Sequence, residues 1–141
     1  MSFNSRQTIF LGALTLIVCI AAYVSYYSQP TQIARGLLRL DAIPHSMSNA
    51  KCEEWGMTDG LATCTFDVNP AEFPALLRGW RFAERPVSGV SYEFSGGPKL
   101  GPPFHVATEF LATPSEFKHG GRISIVANAN RSRVQVDYYE E

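Results

Sequence analysis

The sequence predicts an α+β protein, in which an N-terminal transmembrane helix precedes a small domain with an antiparallel sheet of about five strands and one or two short helices. Three observations predict it. The chain opens on a long apolar run, its C-terminal half carries short alternating segments separated by turn residues, and two cysteines flank a glycine-bounded stretch. Strands joined by short turns pair antiparallel, so the sheet needs no helical crossovers.

Length and charge limit what the chain can be. Its 141 residues leave room for one domain of roughly 100 residues plus extra segments, and the formal net charge is −1. Neither sign of charge forms a block. A nucleic-acid-binding protein needs a basic stripe that displaces counterions, so nucleic acid is excluded as a partner. The oligomeric state is left open.

The apolar run predicts a membrane anchor. No charged residue occurs from Gln7 to Ala34, and Ile9 to Tyr27 is almost wholly apolar, close to the roughly 20 residues that a spanning helix needs. Three tyrosines gather at its C-terminal end, as suits a membrane interface, and Arg6 marks the other end. We expect contact with membrane lipid through residues 9–27.

Three alternatives to an anchor fit less well. A cleaved signal peptide should end in small residues, whereas this run ends in bulky ones such as Tyr23 and Val24. A lipoprotein needs a small residue before its cysteine, but Val18 precedes Cys19. A pilin-like segment relies on a glutamate near the start of its apolar helix, and none is present.

The orientation is set by the short tail rather than by charge. Arg6 on one side is nearly balanced by Arg35 and Arg39 on the other. A short tail before a first apolar helix is typical of a signal anchor, which leaves the C-terminal domain outside the cytoplasm. We therefore divide the chain into a tail and signal anchor (1–28), a connector helix and linker (29–49) and an extracytoplasmic α+β domain (50–141).

The stretch KCEEWGMTDGLATC predicts a hairpin stapled by a disulfide. If Cys52 faces Cys64, Trp55 faces Leu61 and residues 56–60 form a five-residue turn with glycine at both ends. A tight turn at Asp59-Gly60 would instead place Cys52 opposite Asp67, and both registers are open. Metal binding is disfavoured because the two cysteines and three histidines are scattered, and a catalytic thiol lacks a nearby base.

The remaining elements follow from local patterns. Thr31 to Leu40 has apolar residues at helical spacing, which predicts an amphipathic connector helix, and a polar linker follows to Asn49. Asn69-Pro70-Ala71-Glu72 predicts a helix start, with Phe73, Leu76, Leu77 and Trp80 as its buried face and Gly79 as its stop. The predicted strands are 61–68, 87–94, 104–111, 122–127 and 133–139; the last two form a hairpin with one buried face.

Residues that could carry chemistry do not converge. Glu53 and Glu54 are adjacent, so on a strand they point to opposite faces, and His105 and His119 have no nucleophile placed beside them. The loop SGGPKLGPP, residues 95–103, lacks the Gly-Lys-Ser/Thr ending of a phosphate loop. We predict no catalytic residues, no metal site and no cofactor.

One short stretch resembles a known motif. The sequence SGVSY, residues 88–92, resembles the Ser-Gly-x-x-Tyr motif of periplasmic lysozyme inhibitors, whose loop enters the lysozyme cleft. The resemblance covers these residues only, and the downstream Lys-Gly motif of those families is not recognisable here. It implies that Ser88 and Tyr92 contact an extracytoplasmic enzyme.

The sequence thus predicts a membrane-anchored, extracytoplasmic domain, of bacterial periplasmic type, that is not an enzyme and binds another protein. Candidate contacts are the sheet edge, Trp55, which follows Cys52 closely, Lys99 in the Gly/Pro loop, and Ser88 and Tyr92. The alternative is an inhibitor or immunity-type protein that acts on an extracytoplasmic enzyme such as a lysozyme. An enzyme whose site is assembled from scattered residues is the third possibility.

Overall fold

The fold is an antiparallel sheet with two α-helices and one 3-10 helix. The computed structural model describes residues 5–55, 60–87 and 100–141, with backbone alone for residues 5–11 and Pro86. In chain order the elements are α1 (Ser5–Tyr27), α2 (Pro30–Leu38), β1 (Ser48–Trp55), β2 (Gly60–Asp67), the 3-10 helix (Phe73–Leu77), β3 (Ala83–Pro86), β4 (Thr108–Ala112), β5 (Gly121–Ala127) and β6 (Arg133–Glu140).

The sheet has the order β1-β2-β6-β5-β4-β3, and every neighbouring pair is antiparallel. The predicted α+β class is therefore confirmed, with six strands in the described chain rather than about five. β5 and β6 form the predicted hairpin, with Ile125 opposite Val136. The strand that the sequence did not indicate is β3, which pairs with β4 and is too short to show an alternating pattern.

Two predicted elements differ from the structure or fall outside it. β4 begins at Thr108 rather than at residue 104, and of the preceding residues Ala107 donates a backbone hydrogen bond to the Ala127 carbonyl. Of the predicted strand 87–94, all but Val87 lies outside the described residues, as does most of the loop 95–103.

The main core lies on one face of the sheet, which we call the first face. It is formed by apolar side chains of the central strands, and α2 and the 3-10 helix cover it. The fully buried contributions of these helices are Ala34 and Leu38 from α2 and Phe73 and Leu76 from the 3-10 helix. The predicted connector helix thus packs on the domain, as its one apolar stripe requires.

The predicted helix start at Asn69 leads to a 3-10 helix rather than an α-helix. Asn69 Oδ1 accepts a hydrogen bond from the Ala71 N–H at 3.0 Å, but Glu72 does not reach back to complete a capping box. Its carboxylate instead accepts hydrogen bonds from Ser46, at 2.9 Å from the N–H and 2.5 Å from the hydroxyl. Pro74, near the start of the helix, has no N–H to donate to an α-helical ladder.

Gly79 and Trp80 join the end of the 3-10 helix region to α2. A Cβ atom on Gly79 would lie 1.9 Å from the Leu38 carbonyl oxygen, so only glycine permits this approach. The Trp80 indole N–H donates to the Leu37 carbonyl at 2.8 Å, and its ring meets that of Phe117 edge-on. Trp80 closes the first-face core beside α2.

The opposite face of the sheet, which we call the second face, is also buried at its centre. The prediction of a single buried face for the β5–β6 hairpin is therefore wrong. Gln135 is fully buried, as is Thr63 on the neighbouring β2, and Ser124 on β5 is nearly so. Part of the cover comes from the segment after residue 99, because a Cβ atom on Gly101 would lie 3.7 Å from Thr65 Oγ1.

α1 projects from the domain with apolar side chains exposed along the part whose side chains are described. It meets α2 at an angle of 64°, and the Gln32 amide donates to the Tyr26 hydroxyl at 2.7 Å across this joint. Over the described side chains no single helix is both long and apolar enough to cross a membrane, whereas Gly12–Tyr27 and α2 together meet both requirements across the bend.

Candidate functional site

The candidate site is a cleft on the second face, which we call the second-face cleft. The antiparallel registers place Trp55 opposite Leu61, Leu61 opposite Tyr139 and Tyr139 opposite Arg122, so these residues form one row across four strands. A cleft of about 460 Å³ lies over this outer row. The row combines large apolar surface with a positive charge at one end.

A polar row lies next to the outer row, two residues further along each strand. It runs from Glu53 through Thr63 and Asp137 to Ser124. Thr63 and Asp137 also line the cleft. The cleft therefore has an apolar rim and a polar inner wall, and such a combination lets a binding site fix the orientation of what it binds.

Asp137 is an ionisable group of the cleft whose pKa is strongly shifted. The Thr63 hydroxyl donates to its Oδ1 at 2.5 Å, and the Gln135 amide N–H lies 3.5 Å from both carboxylate oxygens. Burial raises the pKa of Asp137 to about 6, while the hydrogen bonds from Thr63 and Gln135 and the charge of Arg122 act in the opposite direction. The carboxyl group therefore changes charge near pH 6.

Gln135 belongs to the same buried polar group. Its side chain is fully buried, and its Oε1 has no hydrogen-bond partner within the described ranges. A buried acceptor without a partner costs about 1–3 kcal/mol. The second face thus buries polar groups whose hydrogen bonding is incomplete, whereas the core of the first face is apolar.

The predicted disulfide is present, with Cys52 directly opposite Cys64 and the register that the five-residue turn requires. Residues 56–59 of that turn lie outside the described chain. Cys64 is fully buried on the first face, and Cys52 Sγ lies 3.2 Å from the Pro30 carbonyl oxygen. The disulfide therefore joins the edge strand β1 to β2, beside the start of α2. Its role at this position is structural.

The structure places one of the predicted partner contacts in the cleft. Trp55 is half-buried and begins the outer row. Ser88, Tyr92 and Lys99 lie outside the described residues. The sequence analysis did not identify the other cleft residues. The one feature that could have drawn attention to them is Asp137, the single acidic residue within the predicted strand RVQVDYY.

Groups that could support catalysis stay apart among the residues described. His105 and His119 are both exposed, and in the described ranges there is no cluster of three or more potential metal ligands. The Ser46 hydroxyl contacts a carboxylate, but it donates to Glu72 and accepts from the Asn69 N–H at 2.8 Å. Hydrogen bonds from the Ser46 hydroxyl and N–H lower the pKa of Glu72, and they fasten the linker to the residue that precedes the 3-10 helix.

Comparison of this chain with protein-family models, with curated proteins and with solved structures finds no match.

Proposed function

We propose that this chain is a membrane-anchored domain outside the cytoplasm, of bacterial periplasmic type, that binds another protein and catalyses no reaction. α1 holds the domain to the membrane, and the second-face cleft receives part of the partner. The observation that carries the proposal is the outer row, in which Trp55, Leu61, Tyr139 and Arg122 surround one cleft.

The composition of this row supports protein binding. Tryptophan, tyrosine and arginine are the residue types that contribute most to binding energy at protein interfaces. Trp55 and Tyr139 are half-buried and Arg122 is exposed, so each can gain contacts from a partner. The partially buried Asp137 adds a polar anchor at the inner wall of the cleft.

The edge strand favours insertion of a partner side chain over addition of a partner strand. β1 exposes Lys51, Glu53 and Glu54, and its register shifts between Ser48 and Lys51, where Asn49 has a φ of 52°. Charges and an irregularity on an edge strand oppose pairing with another chain. The partner therefore contacts side chains of the cleft rather than the β1 backbone.

The anchor is supported by α1 and by the disulfide. α1 has 23 residues, and its described apolar side chains are exposed along the helix. Water disfavours such a surface, whereas lipid accommodates it. The Cys52–Cys64 bond fits an oxidising compartment. Both observations agree with a domain that has crossed the membrane.

Site-directed cross-linking tests the binding proposal. A photo-reactive amino acid replaces Trp55 in the full chain in its own membrane, and the matched control carries it at Arg85, which is exposed on β3 at the other edge of the sheet. We expect one discrete adduct from position 55 and none from position 85. Equal labelling from both positions, or none, contradicts the proposal, and an adduct with a lysozyme supports the inhibitor alternative.

A binding measurement then follows with the identified partner. We expect Trp55→Ala to raise Kd by at least about 30-fold, the loss typical of a central interface tryptophan. Arg85→Ala serves as the matched surface change, with an unchanged Kd. An equal loss in both variants places the interface elsewhere.

Thiol labelling tests the location. In intact cells, Cys52 and Cys64 should react with a membrane-impermeant maleimide only after reduction. Free thiols that become accessible only after lysis would place the domain in the cytoplasm.

A further inference from the structure

A groove rich in arginine lies where α2 ends. Its volume is about 680 Å³, and it lies between the end of α2, the segment 78–81 and the loop 112–116. Arg39, Arg78 and Arg81 line it together with a single carboxylate, Glu116. The groove therefore carries a surplus of positive charge in a protein whose formal net charge is −1.

One of the three arginines is held in place, and the other two have no side-chain partner among the described residues. The Arg39 guanidinium lies 3.7 Å from the centre of the Trp80 ring and 2.6 Å from Glu116 Oε1. Arg78 and Arg81 are exposed, and neither has an ion pair or hydrogen bond to another side chain in the described part of the structure. These two guanidinium groups are available to an anion.

The backbone fixes the arginines close to one another. The approach of Gly79 to the end of α2 is so close that a Cβ atom there would lie 2.8 Å from the Arg39 carbonyl oxygen. Arg78, which precedes Gly79, is therefore adjacent to Arg39 in space. The contact that holds Trp80 against α2 also holds these arginines close together. The positive charge of the groove is therefore fixed by the fold.

The geometry of α1 and α2 sets the distance of this groove from a membrane. α2 has nine residues, so it is about 13 Å long. Because it is inclined at 64° to α1, it advances only about 6 Å along the direction of α1. If α1 lies in the hydrocarbon core, Arg39 lies within or just beyond the interfacial layer, which is roughly 5–8 Å thick on each side.

From these observations we propose that the arginine groove binds the phosphate-bearing headgroups of anionic phospholipids in the leaflet from which the domain emerges. This inference rests on the proposed anchor. One planar guanidinium group can donate two parallel hydrogen bonds to a phosphate group, and the long arginine side chain extends readily into the headgroup layer.

The test uses the full chain reconstituted in vesicles. A Trp55→Phe background leaves Trp80 as the only tryptophan, and a phospholipid with a nitroxide on its headgroup quenches Trp80 when headgroups approach the groove. Vesicles contain phosphatidylcholine alone or increasing fractions of phosphatidylglycerol. We expect quenching to rise with the anionic fraction and to saturate.

The Arg78→Gln/Arg81→Gln variant removes the two free charges. A basic residue near an anionic surface contributes about 1 kcal/mol, so the loss of two should weaken the attraction to anionic lipid at least about tenfold, and half-maximal quenching should require a higher anionic fraction than in the parent. The charge-matched control is Lys51→Gln/Arg85→Gln, whose two positions are exposed on the other face of the sheet. This control should behave as the parent, and urea unfolding checks that both variants are folded.

The possible failures are distinguishable. A chain that does not float with vesicles of either composition refutes the anchor and this inference with it. A chain that floats but shows no dependence of quenching on lipid charge refutes this inference alone. Protection of Trp80 by inorganic phosphate in neutral vesicles, or an equal loss in the control variant, also overturns the assignment to lipid headgroups.

Discussion

The two faces of the sheet bury their central residues in different ways. On the first face, apolar side chains such as Ile125 and Val136 are fully buried under α2 and the 3-10 helix. On the second face, the same strands bury Thr63, Gln135 and Ser124. The first face is thus built for stability. The second keeps polar groups out of water at a cost, and natural proteins accept such costs where a surface has another use.

The largest effect is expected at the closest contact of the first face. Replacing Gly79 with alanine would place a Cβ atom 1.9 Å from the Leu38 carbonyl oxygen. Since backbone cannot move aside cheaply, we expect a loss of about 3 kcal/mol or more in the free energy of unfolding. Urea unfolding of the full chain in neutral detergent measures it.

Gly36 on α2 provides the matched control, because a Cβ atom there has no neighbour within 4 Å. Gly36→Ala should stabilise the protein by up to about 1 kcal/mol through helix propensity. If both variants lose stability equally, the first face is not fixed by the contact at Gly79.

The disulfide ranks next. Its two cysteines are 12 residues apart, and a covalent bond that closes a loop of this size contributes about 3 kcal/mol in the chain-entropy model. Cys52→Ala/Cys64→Ala should therefore lower the urea midpoint and abolish its sensitivity to reductant. Cys19→Ser, outside the domain, should leave both unchanged; a shift there would show that the stapled hairpin is not what the reductant acts on.

Asp137 tests the second face through pH. Burial raises its pKa from 3.8 to about 6, so the folded protein binds this proton more tightly than the unfolded chain does. The stability it contributes is fully present below about pH 4 and is lost as the pH rises through about 6. Asp137→Asn should thus raise the free energy of unfolding at pH 8 by roughly 3 kcal/mol, with little difference at pH 4.

The comparison of variant with parent is needed because other carboxyl groups act in the opposite sense. Hydrogen bonds from Ser46 lower the pKa of Glu72. A backbone hydrogen bond and the Arg39 side chain lower the pKa of Glu116. Both stabilise the fold at higher pH. A difference between parent and Asp137→Asn that is constant from pH 4 to pH 8 would assign the pH dependence to these groups instead.

The smallest change in stability is expected at the rim of the cleft. Trp55 is half-buried at the end of an edge strand, so Trp55→Ala should cost less than about 1 kcal/mol, as for most surface positions. Its effect on partner binding is expected to be much larger. A loss of several kcal/mol in unfolding would mean that Trp55 serves the fold and that the cleft is not a free surface.

Sequence patterns predicted the parts of the fold that local chemistry controls. The β5–β6 hairpin follows from alternation around a polar turn, and the register of β1 on β2 follows from the demand that Cys52 meet Cys64. The helix signal at Asn69 marked the correct position, although Pro74 and the bonds from Ser46 to Glu72 leave a single 3-10 segment.

The rest depends on contacts between distant parts of the chain. β3 is a strand because it pairs with β4, and a segment of four residues is too short for its sequence to predict that pairing. The cleft arises because strands far apart in sequence align Leu61, Tyr139 and Arg122. Alternating polar residues such as Thr63 and Gln135 suggest a solvated face, so the burial of that face, and the raised pKa of Asp137, were not predicted.

The link between Cys52 and Cys64 also limits how far the protein can be stretched. If the proposed anchor and partner are both in place, a pull between them passes through α2 to β1, because α2 lies between α1 and β1 along the chain. Unravelling then stops at Cys52, before it reaches the cleft. The freed segment, residues 30–51, extends to about 75 Å at most. In that arrangement the disulfide sets the maximum reach of the segment and keeps the strands of the second-face cleft joined while the segment before it extends.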